Sequence, residues 1–396
     1  MDYPNLFSPI TLRGVTFPNR IMRTSMVSNL ATEDGHVTDD LKKRYQREAR
    51  GGVGSLVVEA AVVSPSRSSY NLRISDDSFG EELKSLVDLV RKANPETILG
   101  IQIMHFLKIA RSGWRQRVTD FKKEDLPVIV EQHVKGARRA LAAGFDFIEL
   151  HMAHAYTLSS FLSLSNERTD EYGGSLQNRM RLPIEVYRAV RQEVGDRYPL
   201  GVRINGEDFT IKGTTLLQST KIAKKLAELG ADYISVSGGS RFEDSKVPQP
   251  ETPPDPMSGY SGHRMSPEWW FPDGTHVYLA EGVRKAVREG GHKVPVVTAG
   301  KIRMPQHAEE ILATGKADMI GLCRALLCDP DWPLKAKEGR ARDIVSCTAC
   351  NWCLTADTRM EKVNCSRWPE GSRVAPTPWA KKDARASALS KTAEGE

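Results

Sequence analysis

Four cysteines near the C-terminal end of the sequence have a spacing that suits a metal centre. Three of them lie within seven residues, at Cys347, Cys350 and Cys353, and the fourth is Cys365. A cubane cluster needs one cysteine for each iron, and three close thiolates with a distant fourth meet that need. Structural zinc usually takes two separated pairs of cysteines instead. The spacing therefore favours a [4Fe-4S] cluster, and hence electron transfer, with zinc or unliganded thiols as the alternatives.

A second reactive group lies mid-chain, where His151, His154 and Tyr156 fall within six residues. Two imidazoles and a phenol can donate hydrogen bonds to an oxygen that gains negative charge, and the phenol can also give up its proton. A metal pair is the alternative, but no carboxylate accompanies these histidines in the H-E-x-x-H arrangement. The residue types thus favour hydrogen-bond donation and acid catalysis.

The elements that must position these residues follow a repeated pattern, in which a helix ends at glycine and a short apolar run follows. Copies lie at 143–148, 229–234 and 315–320, with a looser copy at 51–58. Further apolar runs lie near 21–24, 98–103, 200–204 and 294–298. Glycine caps a helix, and such apolar runs suit strands that are buried on both faces. Eight alternations predict a (β/α)8 TIM barrel, with an open doubly wound sheet as the alternative.

The catalytic residues of a barrel collect at the C-terminal ends of its strands. Because side chains alternate along a strand, His151 continues the face of Phe147 and Glu149. His154 and Tyr156 follow in the loop beyond the strand. The pattern therefore predicts that all three reactive side chains lie at the barrel mouth.

Composition indicates an intracellular globular enzyme. The 396-residue sequence has a formal charge of +6 with acidic and basic residues interleaved, which argues against a nucleic-acid partner. The six cysteines do not resemble a disulfide framework, so we expect a reducing compartment. We expect no membrane association and a cytoplasmic location, because no apolar run approaches the ~20 residues of a membrane span and no signal pattern opens the sequence.

Two segments interrupt the repeat. Residues 243–276 are rich in proline and include Trp269 and Trp270, and their position predicts a lid-like insertion over the barrel mouth. The end of the sequence is rich in alanine, proline, serine and lysine, which predicts a disordered tail. We accordingly divide the chain into a barrel at 1–345, a cluster segment at 346–368 and a tail at 369–396.

The sequence resembles the Old Yellow Enzyme family of flavin-dependent oxidoreductases. The resemblance rests on the His151-x-x-His154-x-Tyr156 motif and on the run SLSNERTDEYGGSLQNR at 163–179. With the cysteine group, it extends to the iron-sulfur branch that contains 2,4-dienoyl-CoA reductase, 2-enoate reductase and trimethylamine dehydrogenase. The resemblance implies a barrel that holds FMN, with a [4Fe-4S] cluster beside it.

The family's cofactor contacts can be transferred where the local motif matches. The resemblance implies that Gln102 binds the flavin pyrimidine and that Arg203 lies near its N1 atom. The resemblance also implies flavin contacts at the ends of the first two barrel strands and at the first histidine: Thr24, Ser25, Met26, Ala60 and His151. A phosphate site on the last two strand ends would be formed by Gly300, Lys301, Cys323 and Arg324.

The donors and the resemblance together predict an ene-reductase. Reduced FMN would pass hydride to the β-carbon of an α,β-unsaturated carbonyl compound, which could be an enone, an enoate or an enoyl-CoA. His151 and His154 would donate hydrogen bonds to the carbonyl oxygen as it becomes an enolate, and Tyr156 would protonate the α-carbon.

Relatives with the cluster continue into FAD- and NAD(P)-binding domains, and no G-x-G-x-x-G motif follows Cys365 here. We therefore expect an external electron donor that acts through the cluster, such as a ferredoxin, a flavoprotein or an NAD(P)H reductase subunit. Relatives also commonly self-associate, which implies a homo-oligomer. Two other functions stay open: an oxidative amine dehydrogenase or demethylase of the trimethylamine dehydrogenase type, and an electron-transfer subunit of a larger complex.

Overall fold

The structure is a computed structural model that describes residues 2–65, 70–108, 115–241 and 259–376. Residues 243–258 of the predicted lid and 377–396 of the predicted tail lie outside these ranges. The described residues form ten strands: β1 (Ile10–Leu12), β2 (Val15–Phe17), β3 (Ile21–Arg23), β4 (Ser55–Val62), β5 (Ile98–Met104), β6 (Phe147–Met152), β7 (Leu200–Glu207), β8 (Ile234–Gly238), β9 (Val296–Thr298) and β10 (Met319–Leu322).

Strands β3 to β10 close into a barrel in chain order, with β10 beside β3 and every pair parallel. The prediction of a (β/α)8 barrel is therefore confirmed, and the open sheet is excluded. The register places His151 beside Arg203 on neighbouring strands. Side chains of alternate residues on these strands point into the barrel, so both residues can contribute to its mouth.

Helices fill the connections between the strands. Their bounds are α1 (Asp39–Arg50), α2 (Gly80–Ala93), α3 (Leu126–Ala143), α4 (Thr157–Leu162), α5 (Leu176–Arg179), α6 (Arg181–Val194), α7 (Leu216–Glu228), α8 (Gly259–Met265), α9 (Val277–Glu289), α10 (Pro305–Ala313), α11 (Arg324–Cys328), α12 (Trp332–Lys337) and α13 (Trp352–Thr358). Short 3-10 turns lie at 77–79, 118–120, 123–125 and 341–343. No helix within the described ranges is long and apolar enough to cross a membrane.

An aspartate in three of the repeated units joins each strand to the strand before it. The carboxylate of Asp146 accepts a hydrogen bond from the Leu99 amide at 2.8 Å, and Asp232 accepts one from the Leu200 amide at 2.7 Å. Asp318 does the same for the Val296 amide at 2.9 Å. Each aspartate also forms an ion pair with arginine. These contacts close the N-terminal end of the barrel, where the strand amides would otherwise lack partners.

The hairpin of β1 and β2 packs against that same end of the barrel. Leu12 and Phe17 are buried in a cluster with inward side chains of the barrel strands. The rings of Phe17 and Phe147 are 5.5 Å apart. The barrel interior is therefore filled with apolar side chains below the level at which His151 lies.

The segment after α12 lies against the barrel and includes all four clustered cysteines. Arg44 of α1 donates to the Val363 carbonyl at 2.7 Å, and its guanidinium lies 5.0 Å from the ring centroid of Trp368. Trp368 in turn donates to the Leu327 carbonyl at 2.7 Å. The described part of this segment thus packs directly against the helices of the barrel.

Candidate active site

A cleft opens at the C-terminal ends of the barrel strands, with about 1250 Å³ of empty space including its open mouth. It is lined by all of the residues predicted to contact the cofactor: Thr24, Ser25, Met26, Ala60, Gln102, His151, Arg203, Gly300, Lys301, Cys323 and Arg324. It is also lined by His154 and Tyr156. The structure thus gathers the predicted cofactor residues and the predicted catalytic residues in one place, and their individual roles stay predictions.

The two histidines and the tyrosine form one wall of this cleft. The ring centroid of His151 lies 5.1 Å from that of His154 and 4.8 Å from that of Tyr156. His154 and Ala155 both have a φ of +60°, so the chain turns sharply after β6. This left-handed conformation is unusual for residues other than glycine, and it brings His154 and Tyr156 back beside the strand end.

Both imidazoles are neutral at physiological pH. Burial holds the pKa of His151 well below its ordinary value, and the neighbouring Arg203 and Arg241 lower it further. The pKa of His154 is lowered well below its ordinary value mainly by burial and then by Arg203. A neutral imidazole has one N–H donor and one acceptor nitrogen, so each ring can offer one hydrogen bond.

The partners of the ring nitrogens indicate where those donors lie. Nδ1 of His151 accepts from the Ala153 amide at 3.3 Å, which leaves its proton on Nε2. Nε2 of His154 lies 2.7 Å from the Ser237 hydroxyl. Because Arg203 donates to that hydroxyl oxygen at 3.4 Å, Ser237 can give its own hydrogen to His154 and leave Nδ1 of His154 as the donor.

A buried carboxylate fixes the floor of the cleft. The Gln102 amide nitrogen donates to Glu149 at 2.6 Å, and the Tyr233 hydroxyl donates to the other carboxylate oxygen at 3.0 Å. Burial raises the pKa of Glu149, while Arg203 opposes the rise. One N–H of Gln102 is committed to Glu149, so the amide oxygen and the second N–H are available to a ligand.

Several features of the cleft fit an anionic, planar cofactor. Nε of Arg203 is buried without a hydrogen-bond partner, which leaves a cationic donor for a ligand. Gly300 has a φ of +115°, and a Cβ there would lie 2.6 Å from the His276 ring. Only glycine therefore fits this turn beside His276, and the turn exposes backbone amides to the cleft that the residue lines. These residues fit the flavin mononucleotide that the sequence predicts.

Lys301 differs in detail from the rest of the predicted phosphate site. Its ammonium donates to the Trp269 carbonyl at 2.7 Å and to the Phe271 carbonyl, so its side chain is already satisfied by the protein. Arg324 instead bonds Asn351, which lies between two of the clustered cysteines. A phosphate at this position would therefore meet the backbone of Lys301 and the guanidinium of Arg324.

Two of the four clustered cysteines, Cys347 and Cys353, line the same cleft. The thiol of Cys350 is 3.5 Å from the hydroxyl of Ser366, which follows Cys365 in the chain, so the fourth cysteine lies in the same region. A hydrogen bond from Cys328 lowers the pKa of Cys365 to about 7, whereas burial raises that of Cys353 to about 12. Across the described ranges, no three histidine, cysteine or carboxylate side chains are close enough to hold one metal ion. The [4Fe-4S] cluster therefore stays a prediction.

Sequence reasoning did not assign roles to Ser237, His276 and Asp357, which also line the cleft. The alternation in β8 places Ser235 and Ser237 on one face, so the strand pattern could have identified Ser237. His276 is the last residue of the predicted lid-like insertion at 243–276, so its location was indicated although its role was not. Asp357 comes from α13, and nothing in its local sequence indicates this location.

The sequence model of the NADH:flavin oxidoreductase / NADH oxidase family matches residues 5–343. An NADH oxidase from Thermoanaerobacter brockii is 34% identical over 368 residues, covering 88% of this chain and 53% of that protein. An NADPH dehydrogenase from Geobacillus sp. (strain WCH70) is 37% identical over 348 residues, covering 84% of this chain and 93% of that protein.

Among solved structures, that of a 2-naphthoyl-CoA reductase complex is similar, with a TM-score of 0.79 at 26% identity. The match covers 93% of this chain and 57% of that chain. This chain therefore spans about half the length of the NADH oxidase and of the naphthoyl-CoA reductase, and nearly all of the NADPH dehydrogenase. The barrel, the cleft and the family match agree, and they support FMN as the cofactor. The chain belongs to the NADH:flavin oxidoreductase / NADH oxidase family.

Proposed function

We propose that the protein is an ene-reductase that reduces the C=C bond of an α,β-unsaturated carbonyl compound. The observation that carries this proposal is the wall formed by His151, His154 and Tyr156, two neutral imidazoles and a phenol in one cleft. FMN bound in this cleft would supply the hydride for the β-carbon. Gln102 and Arg203 would hold its ring, and the backbone near Gly300 with Arg324 would hold its phosphate.

The imidazoles would bind and polarise the substrate carbonyl. Each neutral ring offers one N–H, and two donors aimed at one oxygen stabilise the negative charge that develops there. Burial makes these hydrogen bonds stronger, because water does not compete for the oxygen. The phenol of Tyr156, 9% exposed, would then give its proton to the α-carbon.

Amine oxidation is the alternative for the same cleft. A carboxylate could pair with a cationic amine, and Asp357 is the carboxylate among the described lining residues. Asp357 is already paired with Arg241 at 3.5 Å, which disfavours the binding of a cation. A parallel screen of amines and enones separates the two readings, since reduction of the bound flavin by an amine would support the alternative.

We further propose that Cys347, Cys350, Cys353 and Cys365 hold a [4Fe-4S] cluster. Backbone amides of Ala349 and Arg367 donate to the sulfurs of Cys347 and Cys365 at 3.4 and 3.5 Å. Such bonds stabilise the thiolate form that iron requires. Analysis of iron, sulfide and zinc in anaerobically purified protein tests this proposal, and zinc without sulfide would contradict it.

The electrons would come from a separate partner, such as a ferredoxin, a flavoprotein or an NAD(P)H reductase subunit. Cys350 is exposed, so a partner could approach this group of cysteines directly. We expect the purified chain to turn over slowly with NADH or NADPH and rapidly with dithionite or reduced viologen. Rapid direct oxidation of NADPH would contradict the need for a partner.

The decisive experiment is an anaerobic titration. Protein with a measured flavin content is reduced with dithionite and mixed with a panel of enones, enoates and enoyl-CoA esters, and reoxidation is followed by absorbance. We expect Tyr156→Phe to bind and reduce FMN normally but to be reoxidised about a hundredfold more slowly. Reoxidation of the variant at the wild-type rate would remove the proposed role of Tyr156.

A further inference from the structure

The proposed proton donor has a cationic neighbour. Nη1 of Arg241, just after β8, donates a hydrogen bond to the hydroxyl oxygen of Tyr156 at 3.2 Å. Both side chains line the cleft. A guanidinium has five N–H donors and no acceptor. The phenol oxygen must therefore accept this bond, and its own hydrogen points elsewhere.

Arg241 is in turn held by the cysteine segment. Its Nη2 lies 3.5 Å from Oδ2 of Asp357 in α13, four residues after Cys353. The other oxygen of Asp357 accepts from Nδ2 of Asn29 at 3.3 Å, and the same nitrogen donates to the Glu361 carbonyl at 3.0 Å. Asn29, in the loop after β3, has a φ of +52°. The carboxylate is thus held by Arg241 and Asn29 in two barrel loops, and Asn29 also binds the chain just after α13.

We propose that Arg241 is a positioning residue for Tyr156 and that Asp357 holds Arg241 in place. This assignment rests on the proposed function, in which Tyr156 protonates the substrate. Arg241 occupies an acceptor site of the phenol oxygen, so the O–H can be directed at the substrate. It also places a positive charge beside the oxygen that becomes negative when the proton leaves.

The step that Arg241 supports is balanced within the site. After the β-carbon has received hydride, the substrate is an enolate whose oxygen is bound by the two imidazoles. The O–H bond of Tyr156 breaks, the electron pair of the enolate forms a C–H bond at the α-carbon, and the carbonyl is restored. The phenolate that remains lies beside the guanidinium and regains a proton from water.

A neutral enone separates this role from the binding of a substrate carboxylate. The probe is 2-cyclohexenone, or the neutral enone that reacts fastest in the panel, mixed anaerobically with FMN-loaded, dithionite-reduced protein. We expect Arg241→Met to slow reoxidation about tenfold to a hundredfold, the usual worth of a hydrogen bond to a charged group. Arg241→Lys keeps the charge and a donor, and it should recover most of the rate.

A double-mutant cycle shows whether the effect passes through the tyrosine. In the Tyr156→Phe background the phenol oxygen is absent, so Arg241→Met should cause no further loss. Asp357→Asn should give a smaller loss than Arg241→Met, and the solvent deuterium isotope effect on reoxidation should rise in both variants. Arg359→Met, at an exposed position on the same segment, is the matched control and should keep the wild-type rate. Binding of FMN, followed by quenching of its fluorescence, should be unchanged in every variant.

Two results would overturn the inference. One is Arg241→Met reoxidation at the wild-type rate with the neutral enone. The other is an equal loss in the wild-type and Tyr156→Phe backgrounds, which would assign Arg241 a role in packing or substrate binding alone. If no member of the panel reoxidises the wild-type protein, the proposed function itself fails, and the inference fails with it.

Discussion

His151 is the residue on which the proposed chemistry depends most directly. It is 4% exposed, and its Nδ1 is engaged by the Ala153 amide, so its remaining nitrogen faces the cleft as a donor. We expect His151→Ala to slow reoxidation by an enone about a hundredfold, because one donor to a developing oxyanion is worth about 3 kcal/mol. His151→Asn, which can restore an N–H, should lose less. Stopped-flow reoxidation of the reduced protein measures both, and equal rates for the two variants would contradict a donor role.

Glu149 acts one layer below the cleft, and its effect should be on cofactor binding. Its carboxylate fixes the Gln102 amide so that the amide oxygen is available to the flavin. A glutamine at position 149 can itself donate, so it no longer forces one orientation of Gln102. We expect Glu149→Gln to weaken FMN binding about tenfold, the lower end of the worth of a hydrogen bond to a charged group. Fluorescence titration of the apoprotein with FMN checks this, and an unchanged affinity would count against the arrangement.

At the scale of elements, the β1–β2 hairpin lies outside the repeated helix-and-strand pattern from which the barrel is predicted. Phe17 is fully buried against Phe147 at the N-terminal end of the barrel. Removing a buried phenylalanine side chain costs about 3–5 kcal/mol. We expect Phe17→Ala to lower the free energy of unfolding by that amount in urea titrations, whereas Thr16→Ala, at an exposed position of the same hairpin, should have little effect. Similar stability of the two variants would show that the hairpin does not seal the barrel.

The strands of the barrel could be predicted because each has its own local signal. In the units at 143–148, 229–234 and 315–320, a glycine with positive φ follows the helix and an aspartate precedes the strand. The strand bounds were less accurate: β7 runs to Glu207, beyond the predicted end at Ile204. Strand ends depend on hydrogen bonds to neighbouring strands, and the sequence of one strand does not contain those neighbours.

The site was predictable where its residues lie on strand ends and obscure where they come from other elements. His151 and Arg203 lie on β6 and β7, so the barrel pattern alone brings them together. Asp357 reaches the cleft because α13 folds back against the loop that contains Asn29. That contact joins positions more than three hundred residues apart, and no local pattern encodes it.

At the scale of the whole molecule, the cysteine segment is part of the wall of the active site. Leu354 and Asp357 of α13 line the cleft together with the barrel residues that are predicted to contact the flavin. Asn351 bonds both Arg324, in the predicted phosphate site, and the Ser266 carbonyl. A change in the geometry of this segment would therefore reach the predicted phosphate site and the proposed proton donor through direct contacts.

The buried histidines make the free energy of unfolding depend on pH, and one variant can isolate the contribution of a single histidine. The pKa of His105 is lowered to about 3 and those of His133 and His276 to about 4, mainly by burial. An unfolded histidine has a pKa of about 6.5, so below that pH the unfolded chain binds more protons than the folded chain. Each such histidine therefore lowers stability as the pH falls from about 6.5 toward its folded value.

His133 is the best test, because it lies in α3, outside the residues that line the cleft, and its Nε2 is buried without a partner. Leucine can fill this apolar position without a titrating group. Below pH 6, the wild-type protein should lose about 1.4 kcal/mol of unfolding free energy per pH unit through His133, and His133→Leu should not show this loss. Urea unfolding of both proteins at pH 8, 6 and 5 measures this difference. The difference at pH 8 reports the change in packing alone. Buried carboxyl groups such as Glu59, whose pKa is raised to about 7, raise stability as the pH falls. Both proteins contain them, so their contribution cancels in the difference between the two proteins. Parallel pH profiles for the two proteins would show that His133 is not held neutral by the fold.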